Sequence, residues 1–125
     1  MKTYERMNAT NDICRKWLSK IGFSDFKLFI HGIGKKDYEL DNASFDGLCF
    51  KNQIIHFIQL KTNSPPTKKS NIINIYKEIE KNRNCKCLWL SYNTKKRLLT
   101  LWSTSYPTGI IINKLKITDE LLLLY

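Results

Sequence analysis

Polar side chains sit inside apolar sequence in the middle of this chain. In the run Ile54-Ile55-His56-Phe57-Ile58-Gln59-Leu60-Lys61, a two-residue period puts Ile55, Phe57, Gln59 and Lys61 on one face and His56, Ile58 and Leu60 on the other. Gln59 and Lys61 therefore point the same way at the end of an otherwise buried strand. Polar groups there cost free energy unless something pairs with them. The upstream run Ser44-Phe45-Asp46-Gly47-Leu48-Cys49-Phe50 also reads as a strand, and Lys51-Asn52-Gln53 reads as the turn between the two. Asp46 precedes Gln59 by 13 positions, a spacing that lets a hairpin bring the carboxylate close to the Gln-x-Lys end.

The rest of the chain falls into elements of either period. Residues 4–20 are predicted helical, with Ile13, Trp17, Leu18 and Ile21 on one stripe, Arg15, Lys16 and Lys20 opposite, and Gly22 at the stop position. Glu5 and Asp12 share a stripe two turns apart. Each is either a solvated charge or a carboxylate aimed at an active centre. A strand is expected over 26–30. The following His31-Gly32-Ile33-Gly34-Lys35-Lys36-Asp37 reads as a flexible basic loop, either ordinary or a clamp on phosphate, and lacks the spacing of a P-loop. After a Pro- and Lys-containing loop at 62–70, Ser70 is placed as the N-cap of a helix over 71–81. Ile72, Ile75, Tyr76 and Ile79 form its buried stripe, and Lys77, Glu78, Glu80 and Lys81 are solvated. Strands over 87–92 and 98–103 are joined by Asn93-Thr94-Lys95-Lys96, with Trp89 and Trp102 as core or cross-strand residues. Residues 110–112 are a short strand or buried extension. Thr118 or Asp119 caps a last short helix through Leu124, or that run is a strand. The order is helix, three strands, helix, two strands. A helical crossover makes the third and fourth strands parallel if they adjoin. The expected fold class is a single α/β domain over 1–125 with a central mixed sheet.

Composition changes this picture at one point. Lys plus Arg total 21 against 11 Asp plus Glu, a net charge of +10, which predicts attraction to a polyanion, nucleic acid or an anionic membrane surface. An Asn-, Lys- and Ile-rich composition contributes to that excess. Neither predicted helix sets a strongly apolar face against a wholly basic one, so a membrane partner is not expected. Residues 1–12 lack the apolar core of a secretory signal, and the longest aliphatic run, Leu121 to Leu124, is too short to span a bilayer. An intracellular, cytoplasmic protein is expected. Cys14, Cys49, Cys85 and Cys87 have no metal-site spacing and read as structural thiols.

An Asp about thirteen residues before an x-Leu-Lys strand end resembles the signature of the PD-(D/E)xK nuclease superfamily, and within it the small archaeal and viral Holliday-junction resolvases. The likeness runs over roughly residues 4–104. It rests on Asp46, Gln59-Leu60-Lys61, the Gly22-Phe23 at the first helix end and the Gly/Lys-rich loop 31–36. It implies a restriction-endonuclease-like α-β-β-β-α-β core with helices flanking the sheet. Two departures stand out. Gln59 replaces the usual Glu, as in methylation-dependent restriction enzymes of the superfamily. Glu5, the counterpart of the N-terminal catalytic Glu, lies a few residues too far from Gly22-Phe23, with Asp12 as the runner-up.

The resemblance implies metal-dependent hydrolysis of DNA phosphodiesters. Mg²⁺ or Mn²⁺ would be held by Asp46, the Gln59 side-chain oxygen and the Leu60 carbonyl, with Lys61 and Glu5 completing the catalytic set. Lys35, Lys36, Lys68 and Lys69 are assigned to the DNA backbone. Branched or duplex DNA is the implied partner, and a homodimer the implied state. Three readings follow: a structure-selective endonuclease of the junction-resolving kind, a restriction- or repair-type nuclease on duplex, or a catalytically degenerate DNA-binding protein on the same fold.

Overall fold

The computed structural model describes residues 3–28, 45–66 and 69–114, with side chains from residue 9 in the first helix and from residue 71 in the second. Helix α1 (Thr3–Lys20) buries Thr10, Cys14, Leu18 and, just beyond it, Ile21 on one stripe. Arg15, Lys16 and Lys20 are exposed. It ends as the glycine predicts. Gly22 has φ +102°, Phe23 N donates to Leu18 O at 3.0 Å and Gly22 N to Ser19 O at 3.2 Å. This double bond pattern satisfies the last carbonyls of a helix and needs a residue free to adopt positive φ.

Strand β1 (Ser24–Leu28) is an edge strand, largely exposed, and its register with the next strand shifts between Ser24 and Lys27. It lies earlier than the expected 26–30, whose last two positions fall outside the described residues. Strands β2 (Gly47–Lys51) and β3 (Ile54–Thr62) form the central hairpin, with Lys51 opposite Ile54. Asn52 and Gln53 have φ of 54° and 65°. Two successive left-handed residues make the mirror-image turn whose twist matches a hairpin.

Helix α2 (Lys69–Asn82) then crosses to β4 (Cys85–Asn93), which runs parallel to β3 from Ile55↔Cys85 to Thr62↔Tyr92. Strands β5 (Leu98–Trp102) and β6 (Ile110–Ile111) add antiparallel, and a 3₁₀ turn (Ile112–Lys114) follows. The sheet order is β1-β2-β3-β4-β5-β6. The fold is α/β, with a mixed six-stranded sheet and two helices.

Each face of the sheet has its own core. Cys14 and Leu18 of α1 pack with Cys49, Ile58, Leu88, Leu90, Leu99 and Leu101. Ile73, Tyr76 and Ile79 of α2 pack with Phe45, Cys85 and Cys87, joined by Ile55, Phe57 and Trp89. The four cysteines are free and buried, as structural thiols should be. Trp89 and Trp102 are cross-strand partners.

Three expectations need correction. Ser70 lies inside α2, which starts at Lys69, so it is not the cap. The helix turns Ile73 inward and leaves Ile75 39 % exposed, because both stripes satisfy the helical period and packing against β4 selects one. Glu80, expected in solvent, is drawn into the structure by partners that come from elsewhere in the chain. The expected basic loop at 31–37, with Lys35 and Lys36, as well as Lys68 and the alternative endings beyond 114, lie outside the described residues.

Candidate active site

Asp46 stands where the chain enters β2. Its N–H donates to Ile58 O at 2.9 Å, although Gly47 is the register partner of Ile58. Two residues thus meet one, and the strand begins with an irregularity. Gly47 is required at this point. A Cβ there would lie 2.3 Å from Lys27 O and 3.0 Å from Leu28 Cα on β1. The close approach of β1 therefore fixes the residue next to Asp46.

The Asp46 carboxylate turns toward β3. Its Oδ2 accepts a hydrogen bond from Leu60 N at 2.7 Å, from the peptide that joins Gln59 to Leu60. A carboxylate has about four acceptor positions, and this bond takes one of them. The N–H and C=O of one strand residue open toward the same neighbouring strand, so the Leu60 carbonyl also opens on the Asp46 side.

Gln59 lies between Phe57 and Lys61 on the α2 face. It is 3 % exposed, and among the described residues its Oε1 has no hydrogen-bond partner. An amide oxygen buried in this way costs roughly 1–3 kcal/mol. Lys61 is half-buried opposite Ser91. Its Nζ is 5.9 Å from the centre of the Trp89 ring, and Trp89 Nε1 donates to Ser64 O at 3.2 Å.

Tyr76 of α2 completes this side. It is 1 % exposed and stacks on Phe45 at 5.6 Å, which stacks on Phe57 at 5.5 Å. Its hydroxyl has no partner among the described residues. Burial raises the phenol pKa above its usual value, with further contributions from Cys87, Asp46 and Glu80. The site therefore holds a second orphaned polar atom that sequence reading placed only in the apolar stripe.

The expected residues are distributed unevenly. Asp46 reaches the Gln59–Leu60 peptide, and Gln59 and Lys61 share a face. The hydroxyls of Thr10 and Thr62 lie 2.6 Å apart, pinning α1 to the C-terminal end of β3. Glu5 is in the α1 backbone about 7.5 Å further along the helix axis at 1.5 Å per residue, and its side chain is outside the described set. Asp12 is exposed on α1. Lys69 opens α2, with only its backbone described.

Glu80 was missed as a structural anchor. Its Oε1 accepts from Thr104 Oγ1 at 2.8 Å, its Oε2 accepts from Cys87 N at 3.2 Å, and Lys86 Nζ is 3.9 Å away. Burial raises its carboxyl pKa while the Thr104 bond, the Lys86 charge and the Cys87 N–H oppose that. No sequence signal marks it, since its partners lie on β4 and beyond β5.

Among the described residues, no three His, Cys, Asp or Glu side chains gather into a metal-binding group. The oxygen donors at the hairpin are one carboxylate, one amide and one peptide carbonyl. Hard divalent cations such as Mg²⁺ take oxygen ligands and keep several waters. The buried, unpartnered Gln59 Oε1 fits that role. No described helix is long and apolar enough to cross a membrane. No protein-family model matches this chain, and no curated protein or solved structure matches it significantly.

Proposed function

We propose that this protein is a metal-dependent endonuclease acting on DNA phosphodiesters, selective for branched substrates in the manner of a junction resolvase. One observation carries the reading: the Asp46 carboxylate is bound to the peptide following Gln59, whose own side-chain oxygen is buried without a partner among the described residues. Nothing in the apolar packing around Gln59 accounts for an amide there, whereas an oxygen-seeking cation does. The helix, three strands, helix, parallel strand order and the net charge of +10 agree with a restriction-endonuclease-like core that handles a polyanion.

In this reading Asp46, Gln59 Oε1 and the Leu60 carbonyl would hold Mg²⁺ or Mn²⁺. A divalent ion, when bound there, would supply a more acidic water and neutralise phosphate charge. Asp46 keeps its anionic oxygens aligned because Leu60 N–H holds the group. Lys61 presents its ammonium on the same strand face as Gln59, where it orients a phosphate oxygen and stabilises negative charge developing on it. Glu5 is assigned a supporting role on metal or water.

The second reading, a catalytically degenerate DNA-binding protein, is favoured by one observation: Asp46 is the only carboxylate at the site among the described side chains, and Gln59 is neutral. Labelled four-way junction, duplex and single strand incubated with Mg²⁺ or Mn²⁺ separate the two. Symmetric junction nicking that disappears in Asp46→Ala and Lys61→Ala supports the proposal. Duplex cutting moves it to the restriction or repair class. Tight binding with no metal-dependent cleavage sinks it in favour of the second reading.

A further inference from the structure

Beyond the catalytic hairpin, the end of the sheet that carries Lys61 also carries three consecutive cations. Strands β3 and β4 are parallel, so their C-terminal ends lie at one edge, with Lys61 opposite Ser91 and Thr62 opposite Tyr92. The turn 94–97 leaves β4 at that edge and bears Lys95, Lys96 and Arg97, all exposed. Among the described residues, no carboxylate pairs with any of the three.

Three asparagines hold the turn. Asn63, which follows β3 with φ 56°, donates its backbone N–H to Tyr92 O at 2.9 Å. Its Oδ1 accepts from Thr94 N at 2.9 Å and its Nδ2 donates to Thr94 Oγ1 at 3.0 Å. Asn93 Oδ1 accepts from Lys95 N at 3.1 Å and from Lys96 N at 2.9 Å. Asn113 Nδ2 donates to Arg97 O at 2.8 Å, and its Oδ1 accepts from Leu99 N at 3.1 Å. A hairpin turn needs fewer ties than this. Fixing the backbone of three like charges keeps mutually repelling groups together, which is useful where an anion compensates them. The loop that begins at Asn63 comes directly from Lys61, so the turn and the hairpin site are joined by side-chain bonds.

We propose that the turn 94–97 is a phosphate-binding ridge that grips a nucleic-acid backbone lying across the β3–β4 edge. The ridge lies at most about 14 Å from Ser91 along the strand direction, four residues at about 3.4 Å each. A backbone at Lys61 reaches it within about four nucleotide steps of about 3.4 Å. Lys and Arg there contact phosphates without reading sequence. The inference rests on the nucleic-acid part of the proposed function and not on catalysis.

The test is binding of a labelled duplex and a four-way junction in chelator, so cleavage plays no part. Lys95→Gln, Lys96→Gln and Arg97→Gln are combined. The control combines Lys16→Gln, Lys20→Gln and Lys81→Gln, which remove the same charge from exposed positions on the two helices, outside the turn. The ridge variant is expected to bind at least about tenfold more weakly at about 0.1 M salt, and its log K against log salt slope should be shallower by about 2 to 3. The control should change both far less. Equal losses in the two variants overturn the ridge. Lysine acetylation of the unaltered protein gives an independent readout: DNA should protect Lys95 and Lys96 more than Lys16, Lys20 and Lys81, and equal protection also overturns it. Absence of DNA binding by the unaltered protein removes both the ridge and the nuclease reading. Ridge-dependent binding without cleavage in Mg²⁺ removes the nuclease reading and leaves the ridge.

Discussion

The Asp46 carboxylate is bound 2.7 Å from the backbone nitrogen of Leu60, so the only described carboxylate at the hairpin both organises the β2 entrance and faces the Gln59–Leu60 peptide. The two roles separate by substitution. Asp46→Asn keeps an acceptor for the Leu60 N–H and should cost less than about 1 kcal/mol, whereas Asp46→Ala strands that donor and should cost about 1–3 kcal/mol. Both should lose Mn²⁺ binding in calorimetric titration. An Asn variant that binds Mn²⁺ like the unaltered protein removes Asp46 from the metal site.

Gln59 is expected to trade stability against function. Its Oε1 is buried with no partner among the described residues, so Gln59→Met should raise metal-free stability by about 1 kcal/mol, because a similar volume is kept and the unsatisfied polar atom is gone. Gln59→Glu should do the reverse without metal and bind Mn²⁺ more tightly, since an anionic oxygen replaces a neutral one. Denaturant midpoints with and without Mn²⁺ measure both. A marked loss of stability in Gln59→Met would show that the amide is satisfied.

Gly47→Ala should destabilise by about 2 kcal/mol or more, since the new methyl meets backbone on β1 that cannot rotate away. Amide hydrogen exchange should quicken in β1 and in β2 ahead of the rest of the sheet. Unchanged exchange in β1 contradicts the close approach.

His56 gives a pH dependence. It is fully buried, with Nδ1 3.0 Å from Ile54 O, and burial lowers its pKa from 6.5 to about 4, helped by the charges of Lys51 and Lys86 and opposed by the Ile54 carbonyl. Between those two values the unfolded chain takes the proton and the folded one does not. Stability should therefore fall as pH drops from 6.5 towards 4, by on the order of 2–3 kcal/mol, and level off below. His56→Gln should flatten that part of the profile in urea unfolding. An identical slope in the variant assigns the dependence to other groups.

Much of this architecture was legible locally. The two-residue period of Ile54 to Lys61 identified which side chains share a face. Gly22 marked the end of α1, Asn52-Gln53 marked the hairpin, and a helical crossover required a parallel β3–β4 pair. Less was legible about depth. Lys51, read as a turn residue, is 5 % exposed with its Nζ 5.2 Å from the Phe23 ring centre. Asp12 and Glu80 were both surface candidates, yet one is in solvent and the other serves Thr104 and Cys87 N.

The chain alone determined the periods, the turns, the excess of positive charge and the pairing of Asp46 with a Gln-x-Lys strand end, because these depend on neighbours within a few residues or on a single hairpin. Only the tertiary structure decided that the Asp46 carboxylate binds the Leu60 N–H, that Gln59 Oε1 and the Tyr76 hydroxyl are buried without a partner among the described residues, and that Asn63 ties a basic turn to the Lys61 end while Asn93 and Asn113 brace it. Period specifies the direction of a side chain. Its burial and its bonds depend on which distant element packs over it, and that is decided when the sheet and helices assemble.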